Sequence, residues 1–314
     1  MSNADTKVGF IGLGMMGGSF ATNLQKAGFD VTVHDLSRQI AAKHLDAGAS
    51  WVDTPRELAA KCDVVLTSLP GPPQVEHVAL DDKDGLLAGF SPGKVLFDLS
   101  TNSPTVIRRL HAVFAEKGVH LLDAPVSGGP AGAASGKLAI WVGGDQDVFN
   151  AHRASLDALG DQVRYIGAVG AGSVAKLVHN AAGYAIQTAL AEVFSLGIKA
   201  GVDPLPLWEA VRQGARGRIR TFDSLGDNFL LNQYDPAKFA LRLAHKDVSL
   251  AAELGREMGV PMRSLALTHA EMTEALGRGW GNRDSRSPML LQLERAGIEV
   301  QEDAAEVRAI LDAD

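Results

Sequence analysis

Lys176, His179 and Asn180 stand at spacings of three and four in the run from Gly170 to about Gly201. On a helix such spacing puts them on one face. The rest of the run is Ala- and Gly-rich and apolar, which predicts a long helix packed between other elements. Burial disfavours an ammonium, so a lysine in such a helix could both take and give a proton, as a general acid/base must. Taken alone, the pattern fits equally well a lysine whose stem lies along the helix start and whose charge reaches water.

The elements that would position such a group begin at residue 7. Val8-Gly9-Phe10-Ile11 reads as a short strand, Gly12-Leu13-Gly14-Met15-Met16-Gly17 as a turn, and the following residues to about Ala27 as a helix. A second strand, Val31 to His34, ends at Asp35, 18 residues beyond the last glycine. This is G-x-G-x-x-G in the setting that binds a dinucleotide. Gly12 permits the tight turn, Gly14 lets backbone approach a pyrophosphate, and Gly17 lets helix and strand pack closely. The helix N-terminus supplies N–H donors to the phosphates. Asp35 is expected to accept the ribose hydroxyls of NAD and repel a 2′-phosphate, while Arg38 close behind leaves room for NADP.

Further strands are predicted over 62–67, 95–98, 119–122, 138–143 and 162–166, most of them ending in small, polar or turn-forming residues. Ligands bind beyond the carboxyl ends of strands in such α/β sheets. After Gly167 the pattern is helical throughout, broken by Gly and Pro. The expected fold is α/β: an N-terminal Rossmann-type, doubly wound and mostly parallel sheet, a long bridging helix and an all-α C-terminal domain. The expected domains are 1–166, binding NAD, and 167–314, for substrate and oligomerisation.

Composition narrows the function. The 314 residues carry a net charge of -7, which argues against a nucleic-acid partner but leaves room for a small carboxylate substrate held by a few local groups. No apolar run is long enough for a membrane span, and no secretory signal is expected. The single cysteine, Cys62, sits beside the apolar Val64-Val65-Leu66 and reads as a buried thiol. A cytoplasmic location follows as the expectation. No metal site is expected. Ala- and Gly-rich helices suggest a homodimer or homotetramer. Arg216, Arg218 and Arg220 could hold a carboxylate bidentately or serve as solvated or interface arginines. The segments 212–233 and 279–286 are expected to border the pocket. The acidic tail from Glu302 reads as a solvated helix or frayed end.

Four blocks together resemble the β-hydroxyacid dehydrogenase family (3-hydroxyisobutyrate dehydrogenase-like). They are Gly9 to Gly17, Asp123-Ala124-Pro125-Val126-Ser127-Gly128-Gly129, Gly170 to Asn180, and Lys246-Asp247. The resemblance implies that Lys176 is the catalytic lysine and that Asn180 orients the substrate. It assigns Ser127, Gly128 and Gly129 to the substrate carboxylate, sets Leu69, Pro70 and Thr101 against the cofactor, and places Lys246 near its nicotinamide end. Ser100 is a neighbour of that group. Read from the residues alone, Lys246 and Asp247 are a surface lysine and a helix-start carboxylate.

The related 6-phosphogluconate dehydrogenases also show Lys-x-x-His-Asn, but with a glutamate seven residues after the lysine. Here that position is Gly183, which speaks against oxidative decarboxylation. His179, a substrate contact in those relatives, reads here as a histidine held by packing and one hydrogen bond. The implied activity is NAD-dependent interconversion of a small 3-hydroxy acid and its semialdehyde or keto acid. One rival is an NADPH-linked glyoxylate or succinic semialdehyde reductase, against which Asp35 speaks. Another is a catalytically silent dinucleotide-binding sensor, which would have no need of Lys176, Asn180 and the Ser127 segment together.

Overall fold

The β-branched and apolar run Lys7–Ile11 forms the central strand β1, paired in parallel with β2 (Asp30–His34) and β4 (Val64–Thr67). The computed structural model describes residues 3–199, 201–214, 225–226, 228–257, 259 and 262–312. Around β1 the sheet continues through β3 (Ser50–Trp51), β5 (Val95–Asp98), β6 (His120–Asp123), β7 (Val126–Ser127) and β8 (Ala139–Gly143). Its strand order is β3-β2-β1-β4-β5-β6-β8-β7, with β9 (Gln162–Gly167) paired to β8. From β3 to β6 every pairing is parallel; β8 runs antiparallel to β6 and β7.

The near-continuous apolar strands have a purpose in a sheet covered on both faces. Val64 and Leu66 join the core on one side, with Val8, Phe10, Val95 and Phe97. Val65 points to the other, with Ile11, Leu96 and Leu121. Helices α1 (Gly17–Lys26), α2 (Ala42–Asp46), α3 (Pro55–Lys61), α4 (Pro72–Leu80), α5 (Leu86–Gly89), α6 (Pro104–Glu116), α7 (Gly129–Ser135) and α8 (Gln146–Asp157) alternate with the strands. Thr54 caps α3 by accepting from the Glu57 N–H, with Pro55 at the first helical position.

The chain divides into two compact units, 1–178 and 179–314, and the division falls inside the continuous helix α9 (Ala171–Lys199). The second unit contains α10 (Pro204–Gln213), α11 (Leu241–Glu257), α12 (Arg263–Gly277), α13 (Met289–Ala296) and α14 (Ala304–Asp312). Among its described residues there is no strand, only an isolated bridge between Ala240 and Asp284. Its core gathers Leu190, Phe194, Trp208, Phe229, Met289 and Leu293. Among the described residues no helix is long and apolar enough to cross a membrane.

The structure corrects several expectations. The strands β3 and β7 were not foreseen, because two residues carry no periodicity. The tail is not merely solvated: Val307 is 2% exposed and joins the second unit's core, and the Arg212 guanidinium donates to the Ile310 carbonyl at 3.0 Å. Nor is α9 buried all round, since Val178 is 62% and Ile186 46% exposed. Arg216, Arg218 and Arg220 lie outside the described residues.

Cys62 is fully buried, and burial pushes its thiol up to about 11. The thiolate is the nucleophile. The native protein should therefore react with a disulfide reagent only as fast as it unfolds, which a thiol titration with and without denaturant would check.

Candidate active site

The glycine turn after β1 is built by sterics. Gly12 has φ +93°, and a Cβ on it would lie 2.3 Å from the Ser68 carbonyl oxygen. At Gly17 a Cβ would fall 1.8 Å from the Gly12 carbonyl oxygen, so only glycine lets α1 begin so close to the turn. Gly14 is different. A Cβ there would meet no protein atom within 4 Å, so packing does not require glycine. The space lies outside the turn, where a pyrophosphate would approach the backbone. No side chain caps the first turn of α1, which suits a helix N-terminus that receives phosphate. Met15 is 71% exposed beside this space, and Leu13 is buried beneath it. The Asp35 carboxylate accepts from the Leu13 N–H at 2.7 Å and the Ser37 N–H at 3.2 Å. Its carboxylate is thus fixed beside the glycine turn, just past the end of β2. These residues fit a bound dinucleotide.

A second group holds the loops after β4 and β5. The Asp98 carboxylate, 1% exposed, accepts from the Thr67 hydroxyl, the Ser100 N–H and the Asn102 amide at 2.9, 3.1 and 2.9 Å. The Ser100 hydroxyl in turn accepts from the Leu69 N–H at 2.9 Å. Burial pushes the Asp98 carboxyl up, and these hydrogen bonds pull it back. One buried carboxylate therefore ties together Leu69 and the segment 100–102, which carries Thr101. Pro70 follows, exposed, at the loop tip.

Ser127 ends the short strand β7, paired with Ala139. Gly128 and Gly129 follow at φ +139° and +61°, both exposed, and α7 starts at Gly129. A Cβ on Gly128 would lie 2.8 Å from Leu138 Cδ2. Both backbone conformations are ones that glycine adopts more readily than other residues.

Lys176 is half-buried on α9, one helical turn before Asn180. Asn180 donates its side-chain amide to the Asp247 carboxylate at 2.6 Å, and Lys246 pairs with the other carboxylate oxygen at 3.0 Å. Asp247 is 2% exposed and lies within α11, six residues after its first residue, Leu241, rather than at its beginning. Its buried carboxylate links Lys246 to Asn180. A carboxylate accepts only, so it fixes the Asn180 amide nitrogen toward itself. His179 is exposed, so packing does not hold it. Gly183 is exposed as well, and a Cβ there would meet nothing within 4 Å.

Of the segments expected to border a pocket, Ser285 and Arg286 line a cavity of about 330 Å³ in the second unit. Tyr184 and Gln187 of α9 and Met272 of α12 line it too, and the sequence did not single them out. Sequence reasoning also gave no role to Asp98 and took Asp247 only for a helix-start carboxylate. The available signal was an acid directly before or after polar residues at a strand or helix edge.

Residues 7–167 match the family model described as the NAD binding domain of 6-phosphogluconate dehydrogenase. Residues 170–292 match the one described as NAD-binding of NADP-dependent 3-hydroxyisobutyrate dehydrogenase. The chain belongs to the β-hydroxyacid dehydrogenase family. It is 37% identical to the NAD-dependent L-serine dehydrogenase of Pseudomonas aeruginosa over 295 residues, covering 88% of this chain and 95% of that one. With the 2-(hydroxymethyl)glutarate dehydrogenase of Eubacterium barkeri it shares 34% identity, covering 94% and 97%. Among solved structures, the 3-hydroxyisobutyrate dehydrogenase of Mycobacterium tuberculosis with L-serine superimposes at a TM-score of 0.81 and 28% identity, covering 91% and 98%. The resemblance drawn from the four sequence blocks holds, as do the fold class and the activity class. The protein is an NAD(P)-binding oxidoreductase of 3-hydroxy acids.

Proposed function

We propose that this β-hydroxyacid dehydrogenase interconverts a small 3-hydroxy acid and its semialdehyde or keto acid with Lys176 as general acid/base, using NAD in preference to NADP. The carrying observation is α9 itself. It presents Lys176 one turn before Asn180, whose amide Asp247 holds in one orientation. Bound NAD supplies the hydride acceptor at nicotinamide C4. Lys176 takes the hydroxyl proton during oxidation and returns it to the carbonyl oxygen during reduction. The ammonium form stabilises the developing oxyanion. Asn180 fixes the hydroxyl, and Ser127 with the amides of Gly128 and Gly129 holds the carboxylate. Leu69, Pro70 and Thr101 border the cofactor, and Lys246 stands near its nicotinamide end.

The relatives' named substrates support the substrate class. L-Serine and 2-(hydroxymethyl)glutarate both carry an alcohol one carbon removed from the carbon that bears a carboxylate. Asp35, fixed by the Leu13 and Ser37 amides, supports NAD because a second anion beside it would be repelled. Arg38 lies over the Trp51 ring at 6.0 Å, an engagement that competes with reaching for a phosphate. We assign 1–166 to NAD binding and 167–314 to substrate binding and oligomerisation. A homodimer or homotetramer is supported by the exposed Val178 and Ile186 on α9. A cytoplasmic location is supported by the lone, buried Cys62.

The test is a screen for formation or loss of reduced nicotinamide absorbance, using both cofactors against three- to five-carbon 3-hydroxy acids and their semialdehydes. Turnover of 3-hydroxy acids with a higher kcat/KM for NAD is expected. A higher kcat/KM for NADP would overturn the cofactor assignment. NADH binding with no turnover across the panel would favour the silent sensor.

A further inference from the structure

We propose that Asp123 is a positioning residue for Lys176: its carboxylate fixes the first turn of α9 and so the place at which the lysine is presented. The proposal rests on the role given to Lys176 above.

Asp123 is the last residue of β6, 1% exposed, and its neighbour across the sheet is Asp98. One carboxylate oxygen accepts the Gly170 N–H at 2.7 Å and the other the Ser173 N–H at 2.6 Å. These two donors bracket the turn at which α9 begins. A single carboxylate, arriving from a strand some 50 residues earlier in the chain, thereby does what an N-cap side chain ordinarily does from the adjacent position. Ser173 lies one helical turn before Lys176, so whatever moves the first turn moves the lysine with it.

The surroundings leave that turn little freedom. A Cβ on Gly172 would lie 2.1 Å from the Trp141 carbonyl oxygen and 3.0 Å from that of Asp123. On Gly143 it would lie 2.6 Å from an Asp123 carboxylate oxygen. Gly170 enters the helix at φ +88°, a backbone conformation that favours glycine. The start of α9 is thus pressed onto the ends of β6 and β8, and the carboxylate is the polar bond that sets its register.

Burial works against a charged group here, and it pushes the Asp123 carboxyl up, with the Gly170 and Ser173 amides pulling back. An anion matches the site because both oxygens accept and because it faces the positive end of a 29-residue helix. A neutral side chain could fill the same volume, but an amide would present hydrogens to one of the two N–H groups.

The experiment is a double-mutant cycle of Asp123→Asn and Lys176→Ala, with kcat, the Kd for NADH and thermal unfolding measured for each protein. Asp123→Asn alone should lower kcat by about 10²-fold, the effect of displacing a catalytic group by an ångström, with NADH affinity unchanged. In the Lys176→Ala background Asp123→Asn should lower the residual rate no further, because residues acting through one another are not additive. An unchanged kcat in the single variant, or an equal loss in both backgrounds, would overturn the proposal while leaving Lys176 in its role. Retained activity in Lys176→Ala alone would instead refute the lysine's role. If Asp123→Asn does not fold, Asp123→Glu keeps the charge but carries the carboxylate one methylene away from the Gly170 and Ser173 N–H groups, and the same cycle decides.

Discussion

Replacing Lys176 by alanine is expected to lower kcat by about 10²–10⁴-fold, the range for losing a general acid/base. NADH binding should be unchanged, because the glycine turn, Asp35 and the Asp98 network belong to other segments. The predicted loss falls in the chemical step, so kcat and kcat/KM should decline together. A lysine serving only to bind the carboxylate would raise KM and spare kcat. Turnover measured against NADH fluorescence titration separates the two.

Gly17→Ala is expected to have the largest effect on the fold of the cofactor turn. The added Cβ would sit 1.8 Å from the Gly12 carbonyl oxygen and 2.9 Å from a Phe10 ring carbon. The closer of these is backbone, so no change of rotamer relieves it. At the upper end of overpacking costs, about 3 kcal/mol, the melting temperature should fall by roughly 6–12 °C for a domain of this size. NADH affinity should fall with it, since α1 must move away from the turn. Gly14→Ala is the matched control. Its Cβ meets no protein atom within 4 Å, so stability should hold while NADH affinity drops. Equal melting temperatures for Gly17→Ala and wild type would show that the turn is not built as described. Unchanged NADH affinity in Gly14→Ala would show that the space beside it is not the cofactor's.

The contrast between these two glycines shows what the sequence could and could not disclose. The pattern Gly12 to Gly17, followed by Asp35, is local, and its spacing already announced a strand, a turn and a helix. The strands over Val64–Thr67 and Val95–Asp98 were legible for a similar reason, since a continuous apolar run needs both faces covered. Helix α9 was legible from its length and its small residues, although the exposure of Val178 and Ile186 was not.

The carboxylates were harder. Asp98 acts on Thr67 from 31 residues away, Asp123 on Gly170 from 47, and Asp247 on Asn180 from 67. Each looked like a strand-end or helix-edge acid, because its partners become neighbours only when the sheet and helices assemble. Each holds a segment that carries a candidate site residue: Thr101, Lys176 or Asn180. The short strands β3 and β7 were missed because two residues have no period. The tail from Glu302 reads as solvated because its five acidic residues outnumber the apolar Val307, Ile310 and Leu311 that seat it.

The measurement that bears most directly on the mechanism is the structure of a ternary complex with NAD and a slowly turned-over 3-hydroxy acid. The account predicts Lys176 Nζ at about 2.6–3.2 Å from the substrate hydroxyl oxygen, with the Asn180 carbonyl oxygen on the same hydroxyl and the carboxylate at Ser127. A Lys176 ammonium bound to the carboxylate, with another side chain receiving the hydroxyl proton, would contradict it.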